Sequence, residues 1–353
     1  MESASSGISR EPWELSWHDN PTAVNPTADD PSADNATPMT RPPTPEGRTV
    51  QDPTELFRFE ADAPLGDLGP GVLLVGLEGF LDAGNTQSLL TRHLLEASEA
   101  RVVASFDLDQ LLDYRGRRPV MVFEESTWVS YDDPSLMLYH LTDRDGQGYY
   151  LLAGPEPDYQ WERMVAALRQ LIDRLGITSV VTAHGIPMAV PHTRPVGLTA
   201  HATNARLIGE RNPVFGRVQV PASLAALLEL RLGEAGRDAL GFAIHVPHYL
   251  TQTDFHDGAL TALNAIVDAT GLNLPNDALV TAAARGRAQI DAEIAGNEEV
   301  ATAVSGLERQ YDNFIEAQDK PNLLAPGAAP MPSADELAAD VESFLRSVSD
   351  DEA

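Results

Sequence analysis

The sequence predicts an α/β protein with a mainly parallel sheet in a three-layer α/β/α sandwich, carrying a C-terminal helical extension. Three observations carry this prediction. Short continuous apolar runs, such as GVLLVGL at 71–77 and ITSVVTA at 177–183, suit strands buried on both faces. Between such runs lie segments whose apolar residues recur every three or four positions, the period of a helix packed along one side. The two kinds of segment alternate, and strand–helix–strand alternation builds parallel sheets.

Residues 1–53 are rich in Pro, Ser, Thr, Asp and Asn. They carry too little apolar surface to offset the entropy of ordering and are expected to form a disordered tail. Trp13 and Trp17 within it stand four apart, as a short docking motif or as loosely packed tail residues. The α/β/α body is expected over 54–274. Its first strand at 71–77 leads through the loop EGFLDAG to a helix over 85–97, with Leu89, Leu90, His93 and Leu94 on one side. RVVASF at 101–106 is the next buried strand. Residues 107–157 interrupt the alternation: the arginine loop DYRGRRP precedes two β-rich runs, LMLYHL and GYYLLAG, which the turn-forming TDRDGQ joins into a hairpin. Asp158 is expected to cap the following helix, where Trp161, Val165, Leu168, Ile172 and Leu175 keep helical spacing up to Gly176. After the strand at 177–183 come a helix over 221–232, a strand at 241–246 and a helix over 257–270.

Residues 275–318 read as a helical hairpin turning at Gly296 and Asn297. In its second arm Val300, Val304, Leu307, Tyr311 and Phe314 form a heptad seam, suited to packing on the body or to self-association. A linker over 319–332 leads to an amphipathic helix and tail over 333–353, opened by Ser333 and Glu336 as a capping box.

Charge narrows the function. The chain has 53 acidic and 24 basic residues, a net charge of −29, and its single lysine is Lys320. Such a field repels phosphate backbones and anionic lipid, so neither a nucleic acid nor a membrane is an expected partner. No apolar run approaches the roughly 18 residues that span a bilayer, and the first residues lack the pattern of a secretory signal; the cytoplasm is the expected compartment. With no cysteine there is no thiolate nucleophile and no Cys-based zinc site. The phosphate-binding loop, the dinucleotide glycine motif, the serine elbow and the H-E-x-x-H helix are all absent. No catalytic residue, metal ligand or cofactor is therefore assigned.

What remains is a set of polar residues where strands end, the place at which open parallel sheets bind ligands. Glu78 and Asp82 in one loop and His184, His192, Thr193 and Arg194 in another are expected on one rim. Asp82 serves there or favours the start of the helix behind it. His192, Thr193 and Arg194 either pin their loop or grip an anion. Arg115, Arg117 and Arg118 are the dense basic cluster, and Arg115 and Arg118 join the candidate rim for an acidic partner or an internal carboxylate. His245 and His248 flank Pro247; a metal there would need further ligands such as His184, His201 or His256.

VGLEGFLDAGN, FDLDQLLDYRGRRP, LLAGPEPDYQWERM, HGIPMAVPHTRP and VQVPASLAALLELRLGEAGRDALGFAIHVPHYL together resemble the actinobacterial-type members of the proteasome-assembly-chaperone family, second-chaperone type, over about 56–295. The resemblance implies an α/β/α fold like that of nucleoside phosphorylases. It also implies a non-catalytic, assembly-chaperone-like role: binding a protein partner, either proteasome subunits or a second copy of itself, as a homo-oligomer. Some relatives dock by a hydrophobic–Tyr–X tail. This chain departs from that pattern, ending SVSDDEA, which speaks against tail insertion and leaves surface docking open. The alternative function is an enzyme or binding protein for a nucleoside- or phosphate-like small molecule at the strand ends.

Overall fold

The computed structural model describes residues 51–61, 69–209 and 216–318. The expected linker over 319–332 and helix over 333–353 lie outside the described residues, as does the expected tail up to residue 50. The elements are, in order, β1 (Phe57–Phe59), β2 (Val72–Glu78), α1 (Thr86–Ala97), β3 (Arg101–Phe106), β4 (Met121–Glu124), β5 (Thr127–Tyr131), β6 (Met137–Thr142), β7 (Gly148–Pro155), α2 (Trp161–Leu175), β8 (Ser179–Met188), β9 (Leu198–Ala202), α3 (Leu224–Glu234), β10 (Asp238–Pro247), α4 (His256–Thr270), α5 (Asp277–Ala295) and α6 (Glu298–Gln318).

Eight strands form one sheet in the order β1-β3-β6-β7-β2-β8-β10-β9. Its centre, β7-β2-β8-β10, is parallel. The flanking strands pair antiparallel. The centre is parallel because its strands are covered on both faces, which β2 shows directly. Leu73, Val75 and Leu77 enter one core with Met164, Leu168 and Leu171 of α2 and Leu224, Leu228 and Leu232 of α3. Val72 and Leu74 enter a second core with Leu89, Leu90 and Leu94 of α1 and Leu263 and Ile266 of α4. Period-two alternation along one strand thus supplies two helical layers.

The 136–154 region forms the expected hairpin, β6–β7, and it lies within the main sheet. It separates β2 from β3, the two strands that α1 connects. Several local expectations need correction. Asp158 does not cap α2: that helix begins after Gln160, held in the left-handed region at φ 59° without a side-chain cap. The Asp158 carboxylate instead accepts from the Asp113 amide at 2.7 Å and pairs with Arg117 at 3.1 Å. The third helix begins at Leu224, because the Ser223 hydroxyl accepts from the Ala226 amide at 3.1 Å. β8 runs on to Met188, so His184 lies within a strand, pairing with Ala243 of β10. Gln51, Asp52 and Pro53, assigned to the tail by composition, are engaged: Asp52 caps a short turn over Pro53–Leu56 and its carbonyl meets Arg163.

Four strands were not anticipated: the short edge strand β1, β9, β4 and β5. β9 is half-buried along its length, so it lacks the apolar signature of its neighbours. β4 and β5 form a separate two-stranded arm, exposed along both strands.

Candidate functional site

The loop leaving β2 is organised by Asp82. Its carboxylate accepts from the Gln87 amide at 2.7 Å and from the Ser88 amide and hydroxyl, each at 3.0 Å. Those are the second and third amides of α1, the donors that a cap normally satisfies. Asn85, immediately before the helix, is left-handed at φ 50° and supplies no cap. Asp82 also accepts from the Gly185 amide of β8 at 3.4 Å, which ties the loop to the neighbouring strand.

Two cavities sharing Glu78 and Ser88 lie over the carboxyl ends of β7, β2 and β8. The larger, about 560 Å³, takes Arg92, Arg117 and Arg118 together with Asp132 and Asp133. The other, about 450 Å³, takes Phe80, Leu81 and Asp82. Arg118 and Asp82 therefore line neighbouring cavities. Arg115 is exposed, its amide bonded to Asp113.

His192, Thr193 and Arg194 are engaged elsewhere, by the C-terminal helices. The His192 amide donates to the Tyr249 oxygen at 2.9 Å, and its ring nitrogens lie 2.7 Å from that oxygen and 3.1 Å from Asp291 of α5. The Thr193 hydroxyl donates to Glu308 at 2.5 Å. The Arg194 fork spans Asp312 of α6 with two bonds of 2.8 Å and reaches Glu308 at 3.3 Å. Tyr311, on the heptad seam, donates to the Pro195 carbonyl, so part of that seam faces its own body. The hydrogen bond from Arg194 holds the Asp312 carboxyl below its ordinary range and raises the guanidinium further above its own. A carboxylate lowered on folding stabilises above its unfolded pKa, near 4, and loses that contribution as pH falls through the lowered value. The stability gap between the wild type and Arg194→Gln, measured by urea denaturation, is therefore expected to be widest at neutral pH and to narrow below pH 4. A gap independent of pH would defeat this.

A third group lies on the α3 side of the sheet. Thr182 of β8, Gly241 of β10 and His201 of β9 form one cross-strand row. A Cβ at Gly241 would stand 2.2 Å from His201 Cε1, 2.6 Å from its Nε2 and 2.4 Å from Thr182 Oγ1, so these two side chains converge above the glycine. Glu229 of α3 places its carboxylate oxygens 3.0 and 2.9 Å from His201 Nδ1. His184 is one row further on, above Thr182, opposite Ala243. Its pKa is lowered by burial and then by His201, against the opposing pull of Asp82 and Glu229. Beside it the Thr199 hydroxyl and His245 Nε2 are 2.8 Å apart. Among these residues sequence reasoning singled out His184 for the rim and named His201 and His245 only as hypothetical metal ligands. The available signal was Gly241, a glycine inside an apolar strand, which marks a close approach from another element. Among the described residues no cluster of three or more His, Asp or Glu is arranged to hold a metal ion, and no helix is long and apolar enough to cross a membrane.

A model of the PAC2 family matches residues 76–294. Among solved structures, a Mycobacterium tuberculosis protein of unknown function is 44% identical, with a TM-score of 0.72, the match covering 75% of this chain and 93% of the other. A Corynebacterium glutamicum protein of unknown function is 34% identical with a TM-score of 0.70, covering 74% and 99%. The Mycobacterium tuberculosis proteasome-assembly chaperone homologue is 25% identical with a TM-score of 0.61, covering 66% and 99%. No curated protein sequence matches significantly.

Proposed function

Since this chain belongs to the PAC2 family, that of the proteasome-assembly chaperones, we propose that it is a cytoplasmic protein-binding protein of assembly-chaperone type that works as a homo-oligomer. One observation carries the reading: the β4–β5 arm. Val122, Phe123, Trp128, Val129 and Tyr131 are all between 46% and 64% exposed on it. The Phe123 and Trp128 rings pack on each other with centroids 5.0 Å apart, and among the described residues the two strands pair only with one another. An isolated two-stranded ribbon is marginal in water, and an apolar patch of this kind marks a surface that meets another protein. The arginine loop leads into the arm, and Asp132 and Asp133 lead out of it, so a charged rim surrounds an apolar centre. The name of the 25%-identical relative, a proteasome-assembly chaperone homologue, makes proteasome subunits the first heterologous partner to test.

The full chain is expected to sediment as an oligomer in analytical ultracentrifugation, and the double variant Phe123→Asp/Trp128→Asp as a monomer with an unchanged circular dichroism spectrum. Native mass spectrometry with proteasome subunits from the same organism is expected to show a complex that the variant loses. A monomeric wild type that also fails to bind those subunits would remove this reading.

A further inference from the structure

We propose that Glu229, His201, Thr182 and His184 form a hydrolytic site for small uncharged carboxylic esters, an activity additional to protein binding. The argument begins with protons. An ionised carboxylate only accepts hydrogen bonds, so Glu229 fixes the proton of neutral His201 on Nδ1, the atom 2.9 and 3.0 Å from its oxygens. That leaves the lone pair on Nε2. Nε2 and Thr182 Oγ1 would stand 2.6 and 2.4 Å from a Cβ at Gly241, so the glycine lets both atoms approach one point. A base held by a carboxylate, with its free nitrogen and a hydroxyl facing one point, can activate a water molecule held between them. The His201 side chain is 39% exposed, so solvent reaches that end of the site, while His184 lies deeper.

The surroundings select the bond. Among the described residues no arginine hydrogen-bonds or ion-pairs with Thr182, His184, His201 or Glu229; the contact that joins members of this group runs between His201 and Glu229. A transferring phosphoryl group spreads charge over three oxygens and calls for cationic clamps, which the described residues do not place on these side chains. One developing oxyanion, as in acyl transfer, needs only a few fixed donors. Burial keeps His184 neutral, so its ring N–H can donate to that oxygen without bringing a charge. In the step, His201 Nε2 takes a proton from a water molecule positioned by the Thr182 hydroxyl, and the water oxygen bonds to the acyl carbon. The carbonyl π pair moves onto oxygen. When it returns, the bond to the alcohol oxygen breaks and the proton passes from His201 to that leaving oxygen, releasing acid and alcohol. His201 is the catalytic base and Glu229 its positioning residue.

The test uses the full chain and p-nitrophenyl esters from acetate to octanoate. The wild type is expected to give saturable turnover with at least one of them. His201→Ala should lose about a hundredfold or more in kcat, and added imidazole should restore part of it, which a merely structural defect would not allow. Glu229→Gln should lower kcat at least about tenfold with little change in KM. His248→Gln, exposed and outside the site, should match the wild type. No saturable turnover by the folded wild type, full activity in His201→Ala, or no rescue by imidazole would each overturn the proposal.

Discussion

Replacing Gly185 with alanine is expected to lower the unfolding free energy by about 3–5 kcal/mol, among the largest effects of any single substitution in this chain. A Cβ there would stand 2.0 Å from the Ala83 carbonyl oxygen, 2.9 Å from the Ala83 carbonyl carbon and 2.7 Å from Thr86 Oγ1. Two of those atoms are backbone, so no rotamer change relieves the contact. The loop cannot retreat either. The Gly84 amide donates to the Thr251 carbonyl and its own carbonyl accepts from the Phe255 amide, each at 2.9 Å. Thr86 is fully buried and bonds back to Ala83 at 2.8 Å. Moving the loop would also withdraw Asp82 from the first amides of α1. Urea denaturation measures the outcome, and a loss below about 1 kcal/mol would show that β8 and this loop yield more easily than packed interiors do.

Arg163 carries the second large effect. Its side chain is only 6% exposed, and its guanidinium donates to the Asp52 carbonyl at 2.9 and 2.6 Å, to Gln51, Gln110 and Gln160 at 3.0, 2.9 and 2.8 Å, and to Glu55 at 3.0 Å. One planar fork therefore joins the segment before β1, the turn after β3 and the start of α2. Arg163→Met keeps much of the volume and abandons the acceptors, an imbalance expected to cost about 2–4 kcal/mol. Arg163→Lys should recover less than half of that, because three donors on one nitrogen cannot reach acceptors that a fork reaches from several sides. Limited proteolysis should then cut near 51–59 faster than in the wild type. Equal stability of Arg163→Met and wild type would refute the bridging role.

Parallel strands buried on both faces were legible because their neighbours demand apolar residues at consecutive positions; 71–77 and 241–246 show this. The half-exposed β9 and the fully exposed arm carry no such pattern, since solvent or another protein satisfies one side of each. Turn residues revealed the β6–β7 hairpin, yet nothing local to it could announce that β7 would lie beside β2. At the site, the strand-end rule placed Asp82 in the loop after β2, but it put His184 on the same rim because nothing in the local sequence announced that β8 runs on to Met188. The pairing of His201 with Glu229 depends on the register between β9 and β10 and on where α3 lands. Neither is written in the spacing of the 28 residues that separate the pair. His192, Thr193 and Arg194 were recognised as polar groups needing partners; that those partners sit on α5 and α6 required the folded chain.

The Arg194 fork closes on Asp312, 118 positions later in the chain. A ribosome adding about 5–20 residues per second needs roughly 6–24 s to deliver that aspartate after the arginine. During this interval a nascent chain displays the 192–194 loop uncovered, its cation free to any acidic surface nearby. Completion of this face is thus timed by translation, and the arrival of α6 decides when it ends.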